Sequence, residues 1–212
     1  MGYQAIIFDL DGVLCHTDEY HYQAWKAMAD GLGVYFDPEI NNRLRGVSRM
    51  DSLEIILEQY NGPELNQAEK LALAEKKNEL YRQSLAQMTP DDLSGEVKRT
   101  LDALRGRGLR LAIGSSSKNT PFILERLGLG GFFDAVSDGN NITRSKPDPE
   151  VFLKAAEFLG LPSGDCLVVE DAVSGAQAAH AGGFRAACVG DAAKAGAGDY
   201  NLDRISELLD VV

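Results

Sequence analysis

From residue 89 onward the chain alternates apolar strand-like runs with helical segments, and that alternation limits the possible folds more than any other feature. "GEVKRTLDALRGRG" reads as a helix, "LRLAIGS" as an apolar strand, "NTPFILERLG" as a helix ending at Gly128, and "DAVSD" as a short strand. "DPEVFLKAAEFLG" continues as a helix, with Asp148 as its N-cap and Pro149 in its first position. "CLVVED", "AVSGAQAAHAGG" and "RAACVG" then read as strand, helix and strand, and the glycines of "VGDAAKAGAGDY" suggest a loop. Strand–helix–strand units repeated in this way imply a parallel sheet covered on both faces.

Residues 3–9, "YQAIIFD", supply one more buried strand, but the next segment is different in kind. From about Asp18 to Met88 no strand pattern interrupts a helical region. Trp25, Met28, Ala29 and Leu32 stripe one helix. In "SRMDSLEIILEQY", Leu53, Ile56, Leu57 and Tyr60 fall on one face of another, with Ser48 and Asp51 resembling a capping start. "NQAEKLALAEKKNELYRQSLAQM" is a further long helical stretch. The expected architecture is therefore α/β: a Rossmann-like parallel-sheet core formed by residues 1–16 and 88–212, with an α-helical cap domain, residues 17–87, inserted after the first strand. The hinges are expected near residues 14–17 and 86–91.

In an open α/β sheet, ligands bind beyond the carboxyl ends of the strands. Four polar signals fall at such ends. The first is Asp9-Leu10-Asp11-Gly12. In extended chain, residues i and i+2 project the same way, so both carboxylates can address one reacting atom while Leu10 turns into the core. An ionised carboxylate can attack phosphorus without prior deprotonation, and a second carboxyl group can move protons to and from the oxygens that leave and attack. The second signal is "GSSSKN", in which Ser115, Ser116 and Ser117 form an anion-binding turn with backbone N–H groups at a helix start. The third is Lys146 in "SKPDP", an ammonium able to neutralise a phosphate and its nucleophile. The fourth is the acid pair Glu170 and Asp171; hard oxygen ligands from Asp9 and Asp171, a backbone carbonyl and waters would suit Mg²⁺. Singly, each has an ordinary explanation: an Asp–Gly turn, a helix cap, an exposed lysine, acids complementing a helix dipole. Four in this order make coincidence a poor account.

Charge and composition remove other classes. A formal charge of -11 argues against a general nucleic-acid binder, and it requires local cations wherever an anionic substrate sits. Three scattered cysteines, Cys15, Cys166 and Cys188, give neither a disulfide framework nor a zinc site. No apolar run approaches the roughly 18–20 residues that span a bilayer. "MGYQAIIFD" lacks a basic region before its apolar stretch, so no signal peptide is expected. The expectation is a cytoplasmic monomer without membrane or nucleic-acid partners.

The set DxDG, strand-end serine, Lys before Pro, then Glu-Asp resembles the haloacid dehalogenase-like superfamily of phosphotransferases over nearly the whole chain, and the insertion site resembles its helical-cap subgroup. The resemblance implies Asp9 as nucleophile, Asp11 as general acid/base, Lys146 as charge balancer and Ser115 as a holder of the transferring phosphoryl group. Mg²⁺ would be held by Asp9, the carbonyl of Asp11 and Asp171, with Glu170 assisting. "CHTDEYHYQAW", "RGVSRMDSL", "KKNELY" and "GSSSKNTPF" further resemble the sugar-phosphate mutases of the superfamily. By that likeness Thr17, His21 and Lys77 orient Asp11 when the cap closes, and Gly46, Val47, Ser48, Arg49 and Ser52 line the sugar site. Arg49, Ser117, Lys118 and Asn119 would hold the phosphate that is not being transferred, with Ser116 contributing chiefly its backbone N–H. The implied substrates are small sugar phosphates. The implied reaction interconverts β-glucose 1-phosphate and glucose 6-phosphate through the 1,6-bisphosphate. A sugar-phosphate phosphatase of the same superfamily is the alternative. Receiver domains also phosphorylate an aspartate, but they lack the large insertion.

Overall fold

A computed structural model describes residues 2–44 and 47–212. Its strands are β1 (Ala5–Phe8), β2 (Arg110–Gly114), β3 (Ala135–Ser137), β4 (Cys166–Glu170), β5 (Arg185–Cys188) and β6 (Tyr200–Asn201). They form a parallel sheet in the order β3-β2-β1-β4-β5-β6. All four residues of β1 are buried, because β1 is central and both of its faces are covered. Ile6 sits level with Leu111 and Leu167 on its two neighbours. The strand's period of two then divides the core. Ile6 and Phe8 join one apolar cluster, while Ala5 and Ile7 join the other.

Between β1 and β2 lie the helices α1 (Asp18–Gly31), α2 (Pro38–Asn42), α3 (Arg49–Leu57) and α4 (Gln67–Leu85). Trp25, Met28, Ala29, Leu53, Ile56 and Ala74 belong to a third cluster, separate from the two that flank the sheet. Ala24, Tyr81 and Leu85 instead pack into the cluster beneath the sheet, tying α1 and α4 to it. Ser48 caps α3 by accepting from the Asp51 N–H, as its sequence implies, and Asn66 with Glu69 forms a capping box on α4. Tyr60 lies beyond the end of α3 rather than on its face, yet it still packs against the third cluster. No helix among the described residues is long and apolar enough to cross a membrane.

The remaining helices cover both faces of the sheet. The helices α5 (Gly95–Gly106) and α6 (Thr120–Arg126) contribute Val97, Leu101, Leu104 and Ile123 to the Phe8 side. The helices α7 (Glu150–Leu159), α8 (Val173–Ala181) and α9 (Gly190–Lys194) contribute Phe152, Ala155, Ala176 and Ala192 to the Ile7 side. The short α10 (Leu208–Val211) returns to the first side through Leu208. Two details depart from the sequence reading. The segment expected as a glycine-rich loop contains α9, whose Ala192 N–H donates to the Asp171 carbonyl at 2.8 Å. And α7 begins at Glu150 with Pro149 in the cap position, although the Asp148 carboxylate still accepts the Glu150 N–H at 3.0 Å.

Candidate active site

Adjacent strands in the order β2-β1-β4 bring three chain segments together at their carboxyl ends. Asp9 leaves β1 and is anchored to β4 by its N–H, which donates to the Val169 carbonyl at 2.9 Å. Ser115 leaves β2, and Glu170 ends β4 with Asp171 next. Lys146 comes from the loop before α7 and is only 3% exposed. Its Nζ donates to Asp9 Oδ1 at 2.6 Å and to Glu170 Oε1. It also lies 4.8 Å from the centre of the Phe152 ring. Burial alone would lower its pKa, but the Asp9 and Glu170 carboxylates overcome that and raise it. The other Glu170 oxygen accepts the N–H groups of Asp171 and Ala172 at 2.9 and 3.0 Å.

Gly12 has a specific role in this arrangement. Its φ of +88° lies in the region that side chains avoid, and a Cβ there would fall 2.2 Å from Asp171 Oδ2. The glycine therefore both turns the chain and leaves room for Asp171. Asp11, half-buried, accepts a hydrogen bond from the Thr17 hydroxyl at the start of α1. Burial raises the Asp11 carboxyl above its ordinary range, and the Thr17 bond opposes that.

The helices supply the opposite wall. Lys77 on α4 is 2% exposed, so its ammonium does not reach solvent. Its Nζ lies 2.9 Å from His21 Nδ1, 4.6 Å from the Trp25 ring centre and 4.7 Å from that of Tyr81. His21 and Tyr81 have ring centres 4.0 Å apart. Burial, then the Arg49 charge, lowers the Lys77 pKa to about 7, with Asp11 pulling the other way. Burial, Lys77 and Arg49 together hold His21 well below its usual value. A neutral His21 leaves Nδ1 free to accept from Lys77.

One cavity of about 470 Å³ is lined by Asp9, Asp11, Lys146, Glu170 and Asp171. His21, Val47, Ser48, Arg49, Ser52, Lys77 and the whole run from Ser115 to Asn119 also line it. Thr17 stands behind Asp11, completely buried. Gly46 lies outside the described residues. Ser48 is largely committed to its cap: it accepts from the Asp51 N–H and donates to the Asp51 carboxylate at 2.6 Å. Ser115 accepts from the Ser117 N–H, and Ser117 from the Asn119 N–H, each at 3.2 Å. Ser116 Oγ is buried with no hydrogen-bond partner among the described residues. Sequence reasoning missed Asn78, Glu75 and Tyr81, which also line the cavity.

Asp9, Glu170 and Asp171 each offer an oxygen atom within 4.8 Å of the others. Burial pushes the Asp9 carboxyl well above the usual range, Lys146 pulls it back, and Glu170, Asp171 and Asp11 push it up again. Three buried carboxylates against one ammonium form a donor set with hard oxygens and excess negative charge, which fits a small divalent cation. The Asp11 carboxylate is not part of this trio.

Residues 3–183 match the model of the haloacid dehalogenase-like hydrolases. The chain belongs to that family. Among haloacid dehalogenase-like proteins, it is 41% identical over 189 residues to the beta-phosphoglucomutase of Bacillus subtilis, covering 88% of this chain and 83% of the relative. It is 32% identical over 190 residues to a fructose-1-phosphate phosphatase of Escherichia coli, covering 87% and 95%. The crystal structure of a beta-phosphoglucomutase from Clostridium difficile superposes with a TM-score of 0.91 at 32% identity, covering 97% of this chain and 93% of that one. The α/β fold and its parallel sheet are thus those of this family.

Proposed function

We propose that this chain is a β-phosphoglucomutase, interconverting β-glucose 1-phosphate and glucose 6-phosphate through β-glucose 1,6-bisphosphate, with the phosphoryl group carried between them on Asp9. The observation that carries the reading is the meeting of two residue sets in one cavity. The core supplies Asp9, Asp11 and Lys146, a phosphotransfer set. The helices supply Arg49, His21 and Lys77, which a simple hydrolase has no need to assemble. The higher identity to a mutase than to a phosphatase supports the same choice.

In this reading Asp9 attacks phosphorus in line and becomes an acyl phosphate, and Asp11 gives its proton to the departing sugar oxygen. Asp11 later takes the proton of the acceptor hydroxyl as that oxygen attacks the acyl phosphate. A carboxyl group whose pKa burial raises is well placed to hold a proton for donation. Lys146, charged and already aimed at Asp9, stabilises the charge on the transferring group. Mg²⁺ held by Asp9, the carbonyl of Asp11 and Asp171, with Glu170 assisting, would neutralise the phosphoryl oxygens. Ser115 and the backbone N–H of Ser116 receive the transferring phosphoryl group, while Arg49, Ser117, Lys118 and Asn119 hold the other phosphate. Residues 17–87 act as a cap, and Thr17, His21 and Lys77 align Asp11 as it closes. If Asp11 is aligned only with sugar in place, water does not compete for the acyl phosphate. The reaction is assigned to the cytoplasm, on a monomer.

The test is direct. With β-glucose 1-phosphate and a trace of the bisphosphate, glucose 6-phosphate should accumulate faster than free phosphate. Release of mainly inorganic phosphate would reassign the chain to the sugar-phosphate phosphatases.

A further inference from the structure

Asn78 on α4 carries a side-chain amide that is nearly buried, at 8% exposure, between the helices and the core. Its Oδ1 accepts from Arg49 Nη2 at 2.8 Å and from Asn119 Nδ2 at 3.0 Å. The two donors arrive from opposite sides. Arg49 opens α3, and Asn119 stands in the loop after β2, so the Asn78–Asn119 bond joins residues 41 positions apart. The orientation of the amide is set by its neighbours. Arginine has no acceptor, so Asn78 must turn its oxygen to Arg49, and Asn119 must then present its nitrogen. The Asn78 nitrogen is left facing Glu75 Oε1 at 3.4 Å, and Glu75 in turn pairs with Arg49 Nη1 at 3.3 Å. Two guanidinium nitrogens are thus held by one side of α4, which fixes the plane of the fork.

From this we infer that Asn78 is a positioning residue for the non-reacting phosphate. Its single carbonyl oxygen holds Arg49 of the helical region and Asn119 of the core converged on one point, so the seat for that phosphate is complete only when helices and core are together. The inference rests on the phosphate-binding role proposed above for Arg49 and Asn119. The physical basis is preorganisation. Arg49 has a long flexible side chain, and ordering it at the moment of binding costs affinity that a prior hydrogen bond removes. An arginine fork held in plane also keeps its remaining N–H groups available to a phosphate. Asn78 acts through its neighbours, so its loss should alter substrate binding more than the chemical step.

The experiment is a mutant cycle on the full chain: Asn78→Ala, Asn119→Ala and the double variant, with KM and kcat for β-glucose 1-phosphate and thermal unfolding for each. Expected is a KM raised about tenfold in Asn78→Ala, with kcat lowered less than about threefold. The double variant should be no worse than the weaker single variant by more than about twofold, because residues acting as a unit are non-additive. A KM unchanged in Asn78→Ala, or effects of the two substitutions that multiply, would overturn the inference. If Asn78→Ala shows no cooperative unfolding, Asn78→Leu carries the test. It keeps the volume but removes the oxygen that accepts from Arg49 and Asn119, so a raised KM supports the inference and a wild-type KM overturns it. Should the unsubstituted protein release mainly free phosphate, the mutase reading fails by itself. The cycle is then read on the KM for hydrolysis of β-glucose 1,6-bisphosphate, whose second phosphate is the one these donors would face.

Discussion

Lys146 Nζ stands 2.6 Å from Asp9 Oδ1, although 137 residues separate them in the chain. The contact exists because β1 is central and the loop before α7 returns over its carboxyl end. Both side chains are buried, so the pair is worth most as a matched set. Replacing Lys146 by methionine keeps the volume and removes the charge. Turnover should fall on the order of a thousandfold, as when a principal charge stabiliser is removed. Stability should fall as well, by about 3–5 kcal/mol, since Asp9 and Glu170 lose their counter-charge. Steady-state kinetics and urea unfolding read the two effects. Turnover within tenfold of the parent would remove Lys146 from the chemistry.

The carboxylate trio leads to a second expectation. A divalent cation that binds the folded chain alone raises stability by about 2.7 kcal/mol at a hundredfold excess over its Kd. Adding MgCl₂ should therefore raise the melting temperature, and chelation should reverse the rise and stop turnover. Asp171→Asn, with one charged donor fewer, should lose most of the thermal gain. Equal gains in both proteins would place the cation elsewhere.

Gly12 connects the turn after β1 to Asp171. In Gly12→Ala the new methyl carbon would sit 2.2 Å from Asp171 Oδ2, on a backbone with φ +88°. The strained conformation costs about 1–2 kcal/mol, and Asp171 must also move. Turnover should drop about a hundredfold or more, the scale on which misplacing a reacting group by an ångström acts. The MgCl₂ concentration needed for half-maximal rate should rise with it. A normal cation requirement in Gly12→Ala would show that Asp171 has room to spare.

Period and spacing account for the part of the molecule that was legible in the sequence. The all-apolar run of β1 identified a buried parallel strand, and the i, i+2 pair Asp9 and Asp11 projected to one side with Leu10 fully buried between them. His21 was legible only through the likeness to the sugar-phosphate mutases, because a histidine on a helix carries no signal of its own. Asn78 was not. An asparagine inside a charged helix has no periodic signal, and its importance arises only when α4 meets a loop 41 residues away. The α9 helix was hidden because its flanking glycines read as loop, whereas tertiary bonding to the Asp171 carbonyl holds it. Glu170 read as a strand-end acid of the metal site, with an acid favoured by a helix dipole as its ordinary explanation. It does bond two N–H groups there, but its other oxygen is taken by Lys146, a partner that sequence order conceals.

Lys77 gives the last prediction, through pH. Burial and Arg49 lower its pKa from the ordinary 10.5 to about 7 in the folded chain. The unfolded chain keeps the ordinary value. Between those values the unfolded state holds a proton that the folded state has released, so stability rises with pH. Below about 7 both states are charged, and the cost of the buried ammonium is present in full. Above 10.5 both are neutral, and the cost is gone. Lys77→Met removes the titrating group and keeps an apolar stem against Trp25 and Tyr81. The variant should be more stable than the parent near pH 6–7, on the order of a few kcal/mol. That lead should shrink steadily as pH approaches 10, while transfer activity at neutral pH is lower because His21 has lost its donor. Urea unfolding of both proteins at unit steps from pH 6 to pH 10 measures the gap, and shifts common to both chains cancel. Burial, Lys77 and Arg49 hold His21 well below its usual value, so its own titration lies under this window. A gap that stays constant between pH 7 and pH 10 would mean that Lys77 titrates in the folded chain as it does in water, and that its ammonium is not the buried partner of His21.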